Sequence, residues 1–342
     1  MSFSNTYDTS NPGSAVSNRE DLTDVLTILA PEETPILSSA SKQKASATDT
    51  EWTVDVLSAP TTAGIIEGED VVTYTDQFAG RARMGNFTQK FRRDYKVSEL
   101  QEAVDSVGPA KIAQAEAKAI RELKRDVEAT LCSTNTKVQA AAATAYKMNG
   151  LAAYIDSSPA SAVGVPSGFE TPASSIYTQS EDTSAPFSET TFNDLISSVY
   201  EVNGTVNNLT LVANTGLRRT VSDFARLGAT YAASGAGTES VRTVNYDGGS
   251  ADIKLSVELY QSDHGIVSIV NGNPVCMPDF GTTGNKGAGF LVNPEYYGVH
   301  ELIPMGSSRL PNLGGGERGI VDCALTLGVY HPQAHGLIQG QE

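Results

Sequence analysis

Cysteine, histidine and long apolar runs are all scarce in this chain of 342 residues. The three cysteines, Cys132, Cys276 and Cys323, stand far apart and are odd in number. That excludes a disulfide framework and a zinc knuckle, both of which need characteristic spacings. It reads instead as buried thiols in a reducing compartment. Only four histidines are present. His331 and His335 have the i, i+4 spacing of paired ligands on a helix, but Pro332 lies between them and no H-E-x-x-H pattern occurs. No stretch approaches the ~18 apolar residues that a membrane span needs. The N-terminus, MSFSNTYDTS, has neither the basic nor the apolar region of a secretory signal. The expectation is a soluble protein used without secretion and without a membrane partner.

Catalytic signatures are missing too. There is no G-x-S-x-G elbow and no phosphate loop. Gly314-Gly315-Gly316-Glu317-Arg318 is glycine-rich, but acid and arginine follow where a phosphate loop has lysine and a hydroxyl. It reads as a turn. Asp247-Gly248-Gly249-Ser250-Ala251-Asp252 lacks the alternating ligands and distal glutamate of a calcium loop and reads as a turn as well. No nucleophile, base and orienter come together. No enzyme activity, metal or cofactor is expected.

The chain is acidic, with net charge −16 and 39% hydrophobic residues. The hydrophobic share is below the ~45–50% usual for globular chains, so part of the chain is extended or solvated. Charge is uneven: residues 148–217 carry seven acids and no Lys or Arg. The positive charge gathers in residues 81–125, with eleven basic residues against six acids. They include Arg81, Arg83, Arg92, Arg93, Lys111, Lys118, Arg121 and Arg125, together with Lys90, Lys96 and Lys124. Three readings stay open: backbone-level contact with nucleic acid, pairing with acidic loops of neighbouring subunits, or a solvated helix face balanced by Glu122, Asp126 and Glu128. Glu67, Glu69 and Asp70 form an acidic turn, read as a solvated loop, an intersubunit contact or, least of all, a cation site.

Local patterns predict the elements. Ser17-x-x-Glu20 forms a capping box before Leu22, Val25, Leu26 and Leu29, so a short helix is expected, ended by Pro31 and Thr34-Pro35. Trp52, Val54 and Val56 alternate in a strand over 46–58. A second strand spans 81–97, and the turn-rich loop between them makes an extended hairpin that is marginal by itself. Residues 109–132 predict a long helix, with Ile112, Ala113, Ala117, Ile120, Leu123, Val127 and Leu131 on one stripe. Lys111, Lys118, Arg121 and Arg125 share another stripe. Residues 156–187 read as a surface insertion carrying little core. Ser188 caps a helix over 189–202 that stops at Asn203-Gly204. Leu209–Ala213 is a strand, and Asn214 caps a helix through Phe224. The strand over Ile253–Leu259 pairs with Gly265–Asn271 across a turn containing Asp263. Ala288–Asn293 and Val321–Val329 are further strands. The class is α+β.

Read in order, several segments carry a resemblance. They are NREDLTDVLTILAPEETPILS (18–38), EWTVDVL (51–57) with IIEGED (65–70), the helix of 109–132 and MNGLAAYI (148–155). YQSDHGIVSIV (260–270), GFLVNPEYYGVHELIPM (289–305) and LTLGVYHPQAHGLIQG (325–340) complete the series. This series resembles the major capsid proteins of tailed double-stranded DNA bacteriophages, whose fold also forms the capsid floor of herpesviruses. The resemblance implies an N-terminal arm with a short helix (1–48), an extended β-hairpin loop (49–98), a peripheral domain with a spine helix (99–148), an axial domain (149–294) and a return to the peripheral domain (295–342). It implies hexamers and pentamers of this one chain tiling an icosahedral shell, with arm and loop reaching over neighbours. The partners that follow are packaged double-stranded DNA held by non-specific contact, a portal, a decoration protein and a separate scaffolding protein. The last is expected because about 17 residues precede the first helix. The location implied is the virion capsid, with assembly in the host cytoplasm. The other reading is a different virion protein of tail or lattice, or a surface adhesin.

Overall fold

The computed structural model describes residues 30–104, 111–178, 187–204, 208–227, 245–247, 250–252, 258–280 and 286–339. In chain order, a short helix α1 (Pro35–Ser39) leads to β1 (Ser41–Lys44), β2 (Asp49–Val54), β3 (Ala82–Phe87) and β4 (Gln89–Val97). Helices α2 (Glu99–Ala103), α3 (Lys111–Cys132) and α4 (Leu151–Tyr154) follow, then β5 (Ile176–Thr178), α5 (Glu189–Asn203), β6 (Leu209–Ala213) and α6 (Thr215–Leu227). The remaining strands are β7 (Asn245–Asp247), β8 (Ser250–Asp252), β9 (Leu259–Ser262), β10 (Gly265–Asn271), β11 (Gly289–Val292), β12 (Tyr297–Leu310), β13 (Glu317–Val329) and β14 (Gly336–Gln339).

Two larger sheets organise the core. One has four strands in the order β1-β12-β13-β4, and the other has six in the order β5-β14-β11-β6-β10-β9. Along β4, Phe91 and Tyr95 are buried while Lys90, Arg92, Asp94 and Lys96 are exposed. This period of two gives the four-stranded sheet one apolar face and one polar face. Helix α3 packs on the apolar face through Ala119, Leu123, Val127 and Leu131, against Val321, Cys323 and Leu325. A second cluster joins α5 (Phe192, Leu195, Ile196, Val199) and α6 (Leu217, Val221) to Leu209, Leu211, Val267 and Ile269 of the six-stranded sheet.

Helix ends follow local chemistry. The Ser188 hydroxyl accepts from the Thr191 N–H at 3.2 Å and opens α5. Gly204, in the left-handed region at φ 69°, closes it. Asn214 precedes α6 and accepts the Thr215 N–H on its side chain at 2.7 Å.

Several expectations change. Pro35 does not continue a break but opens α1, because a missing N–H costs nothing in a first helical turn. The helix expected over 18–29 lies outside the described residues, as do Pro109 and the stretch 253–257. The β9–β10 hairpin begins at Leu259, with Ser262 opposite Gly265 across a two-residue turn. The strand expected over 81–97 is two strands, β3 and β4, interrupted at Thr88. Ala113 and Ala117 are exposed, since the packed stripe of α3 runs through Ile112, Ala115 and Ala119 before reaching Leu123. Residues 156–187 do contribute to the core: Val163 and Phe169 are buried, and β5 extends the six-stranded sheet beside β14. The segment 295–342 is divided between the sheets, because β12 and β13 lie in the four-stranded one and β14 in the other.

Candidate assembly surfaces

The extended hairpin is built from its base upward. β2 pairs antiparallel with β3, Asp49 opposite Phe87 and Val54 opposite Ala82. Met84 and Val54 are buried there. Trp52 meets Tyr154 and Tyr330 with ring centroids 6.4 and 6.1 Å apart. Asn86 pins the base to the body, donating to the Leu327 carbonyl at 2.8 Å and accepting the Asn149 N–H at 2.8 Å. The next residue explains the Asn-Gly-Leu motif: a Cβ on Gly150 would lie 2.0 Å from the Ser133 carbonyl oxygen, so only glycine fits. Above the base, Arg83–Glu51 (3.1 Å) and Arg81–Asp55 (2.9 Å) bridge the two strands. The Arg81 guanidinium also lies over the Phe78 ring, 4.1 Å from its centroid.

Beyond this neck the chain stops burying itself. Every residue from 55 to 81 is exposed. Among them Leu57 is 99% exposed, Val72 89% and Ile65 86%. Ile66, Val71 and Tyr74 are also exposed. The acidic turn sits at the far end. Gly68 takes φ 84°, and the Glu69 N–H donates to the Ile66 carbonyl at 3.1 Å. Glu67, Glu69 and Asp70 are exposed, with apolar residues on both sides, and the Glu69 carboxylate accepts the Ile66 N–H at 3.4 Å.

A second surface fixes the N-terminal segment to α3. The backbone N–H groups of Ile36 and Leu37 donate to the two carboxylate oxygens of Glu128, each at 2.9 Å. These are orphan donors at the start of α1, so a residue 92 positions away in sequence from Ile36 caps that helix. Burial pushes the Glu128 carboxyl up to about 7, and the two N–H donors oppose that shift. Asn273 donates to the Glu33 carbonyl at 2.9 Å, and Arg121 reaches Glu32 at 3.3 Å. Glu128 therefore does not balance the basic stripe, as one of the three open readings would have it; it faces inward and holds the N-terminal segment.

The predicted basic residues separate. Arg81 and Arg83 belong to the hairpin neck. Arg93 forms a two-pronged contact with Asp126 at 2.6 and 2.7 Å, tying β4 to α3. Lys118 faces Glu122 at 3.8 Å. Lys111 donates to backbone carbonyls of Gln101, Glu102 and Val104 at the end of α2. Arg125 is half-buried beside Cys276, whose thiol donates to the Arg125 carbonyl at 3.5 Å. Arg92 is exposed on the polar face of the four-stranded sheet, opposite Asp322 in register. Of the basic stripe, Lys118 and Arg121 thus face carboxylates of the chain, Lys111 meets carbonyl oxygens, and the Nε of Arg125 is buried without a hydrogen-bond partner.

All three thiols are buried. Burial pushes Cys276 up to about 11 and Cys323 up to about 12, which leaves little nucleophilic thiolate at neutral pH. Among the described residues no cluster of three metal-binding side chains occurs, and no helix is long and apolar enough to cross a membrane.

A helix packed on a four-stranded sheet, a second sheet of six strands, and an extended hairpin with an unburied tip define the class: a shell subunit of the tailed-phage capsid fold. Solved structures share this fold. The cyanophage A-1(L) capsid aligns with TM-score 0.66 at 13% identity, over 97% of this chain and 98% of that one. The capsid of cyanophage P-SCSP1u gives 0.61 at 12% identity, over 98% and 96%. The capsid of a native GTA particle gives 0.60 at 14% identity, over 99% of each chain. The sequence profile of the SU10 major capsid protein family matches residues 3–342, so the chain belongs to that family. No curated protein sequence matches it. The chain is a phage major capsid protein and forms the shell of a virion.

Proposed function

We propose that the chain closes an icosahedral shell as hexamers and pentamers of itself, and that it catalyses nothing. The observation that carries this is the loop of residues 55–81, whose apolar side chains are exposed on the subunit. Contiguous exposed apolar surface of this kind marks an interaction site. The buried thiols and the scarcity of histidine support a structural role. A portal, a scaffolding protein and a decoration protein complete the assembly in the host cytoplasm. Contact with packaged DNA is proposed as non-specific and minor along α3, because Lys118 and Arg121 already face carboxylates.

Expressed protein viewed by negative-stain electron microscopy tests the proposal. Closed shells with five- and six-fold capsomers support it. Tubes or monodisperse monomers would contradict it.

A further inference from the structure

The chain passes between its two larger sheets three times: after β4, after β11 and after β13. The last two passages are short. Residues 293–296 link β11 to β12, and residues 330–335 link β13 to β14. They run side by side, because Tyr297 is paired with Val329 where β12 begins and β13 ends. The Tyr330 N–H donates to the Tyr296 carbonyl at 2.8 Å. The first passage joins them. Thr171 donates its hydroxyl to the Pro332 carbonyl at 3.1 Å, and Gln333 donates to the carbonyls of Gly168 and Glu170 at 3.0 and 3.2 Å. All three connections therefore meet at one joint.

His335 sits inside this joint and is fully buried. Its Nδ1 accepts the N–H of Asn293, also buried, at 3.2 Å. An imidazole that accepts at Nδ1 is neutral and carries its proton on Nε2. That Nε2 is buried without a hydrogen-bond partner. Adding a proton at Nδ1 sets a donor against the Asn293 donor and leaves a charge in the interior, where an unpaired charge is costly. The titratable groups that face the ring are Tyr297 of β12, edge-on with centroids 5.9 Å apart, and His331 of the same passage. Neither supplies a negative charge in acid. Burial pushes the Tyr297 hydroxyl up to about 12, and His331 opposes a second positive charge. The Tyr296 backbone favours the charged ring, but burial outweighs it and pushes His335 down to about 4.

We propose that His335 is an acid-sensitive clasp: as a neutral acceptor it ties the two short passages together, and on protonation it releases Asn293 and opens the joint between the sheets. Opening lets water reach the ring and takes up one proton. The folded value lies below the ordinary one, so the clasp holds fully above about pH 6.5 and is lost as pH falls toward 4. The opening is local to the joint, since helix α3 and its packing on the four-stranded sheet do not touch the ring. His300 is the rival sensor, because its Nε2 meets the Tyr330 hydroxyl at 3.2 Å.

Hydrogen exchange read by mass spectrometry on the full-length subunit, between about pH 6.5 and 4.5, tests the proposal. Rates are corrected for the intrinsic pH dependence of each amide. In the wild type, protection of peptides covering 293–297 and 330–336 is expected to fall by up to about tenfold per pH unit, while α3 keeps its protection. His335→Asn keeps an acceptor oxygen near the Nδ1 position and takes up no proton, so protection of these peptides should stay level. His331→Asn and His300→Asn should keep the wild-type slope. A slope that survives in His335→Asn, or a wild type without one, overturns the proposal. Equal loss across the whole chain also overturns it, because that is global unfolding. If His335→Asn does not fold, the wild type and the other two variants decide: a slope lost with either His331 or His300 overturns the proposal, and a slope kept in both supports it.

Discussion

The two ends of the extended hairpin are made from one pair of chain segments and treated in opposite ways. At the base, Met84 and Val54 are buried, Asn86 is fully hydrogen-bonded into the body, and Trp52 packs between Tyr154 and Tyr330. At the tip, Leu57, Ile65 and Val72 have almost no cover. The difference is not one of hydrophobicity, since both ends are apolar. It lies in whether the subunit can supply the other side of the contact. The base is covered by its own chain, and the tip is left uncovered by it.

Mutations at the two ends should therefore separate stability from assembly. The largest effect on stability is expected at the base. Met84→Ala deletes a fully buried side chain and should cost about 2–5 kcal/mol in denaturant unfolding of the unassembled subunit. Little change there would mean that the base is not part of the core.

Buried ionisable groups of the body come next, and two of them oppose each other. His335 is completely buried, its Nδ1 accepts the Asn293 N–H at 3.2 Å, and burial pushes it down to about 4. A depressed folded value means that its contribution is full above about 6.5 and is lost as pH falls toward 4. Between pH 6.5 and 5 that loss is about 2 kcal/mol. Glu128 is pushed up to about 7, so its contribution is full below about 4.5 and is lost as pH rises through 7. Its share over the same interval is comparable and opposite in sign. The wild-type subunit should thus vary little between pH 5 and 6.5. His335→Asn should make it more stable toward acid, and Glu128→Gln should make it less so, both read by chemical denaturation across pH. Parallel pH profiles for all three proteins would contradict the assignment.

The smallest effect on stability is expected at the tip. Ile66→Ser should change subunit unfolding by no more than about 0.5 kcal/mol, while light scattering shows slower and less complete assembly. A destabilised subunit would show that the tip is held by its own chain after all.

How much of this was legible in the sequence depended on range. Helix α5 was readable with both ends, because Ser188 and Gly204 act on neighbours a few residues away. So was α3, apart from Ala113 and Ala117, whose small side chains leave the facing to tertiary contacts. β12 was not legible as a strand in its own right. Its fourteen residues include Pro304 and Gly306, and register shifts fall between Glu301 and Ile303 and between Ile303 and Gly306, so no alternation survives. Residues 156–187 looked coreless because Val163, Phe169 and Ile176 are isolated in a polar stretch and gain burial only from distant strands. Among functional positions, the neck arginines and the acidic turn were visible as charge. The role of Glu128 was not, since capping across 92 positions leaves no local spacing. The one available signal was a glutamate placed directly after Val127, at the margin of the packed stripe.

The central claim is that the exposed loop is covered by another copy of the chain once the shell forms. Electron cryomicroscopy of assembled wild-type particles tests it most directly. The account predicts closed shells in which residues 56–80 are ordered against a neighbouring subunit. Shells in which that loop still projects into solvent would contradict it.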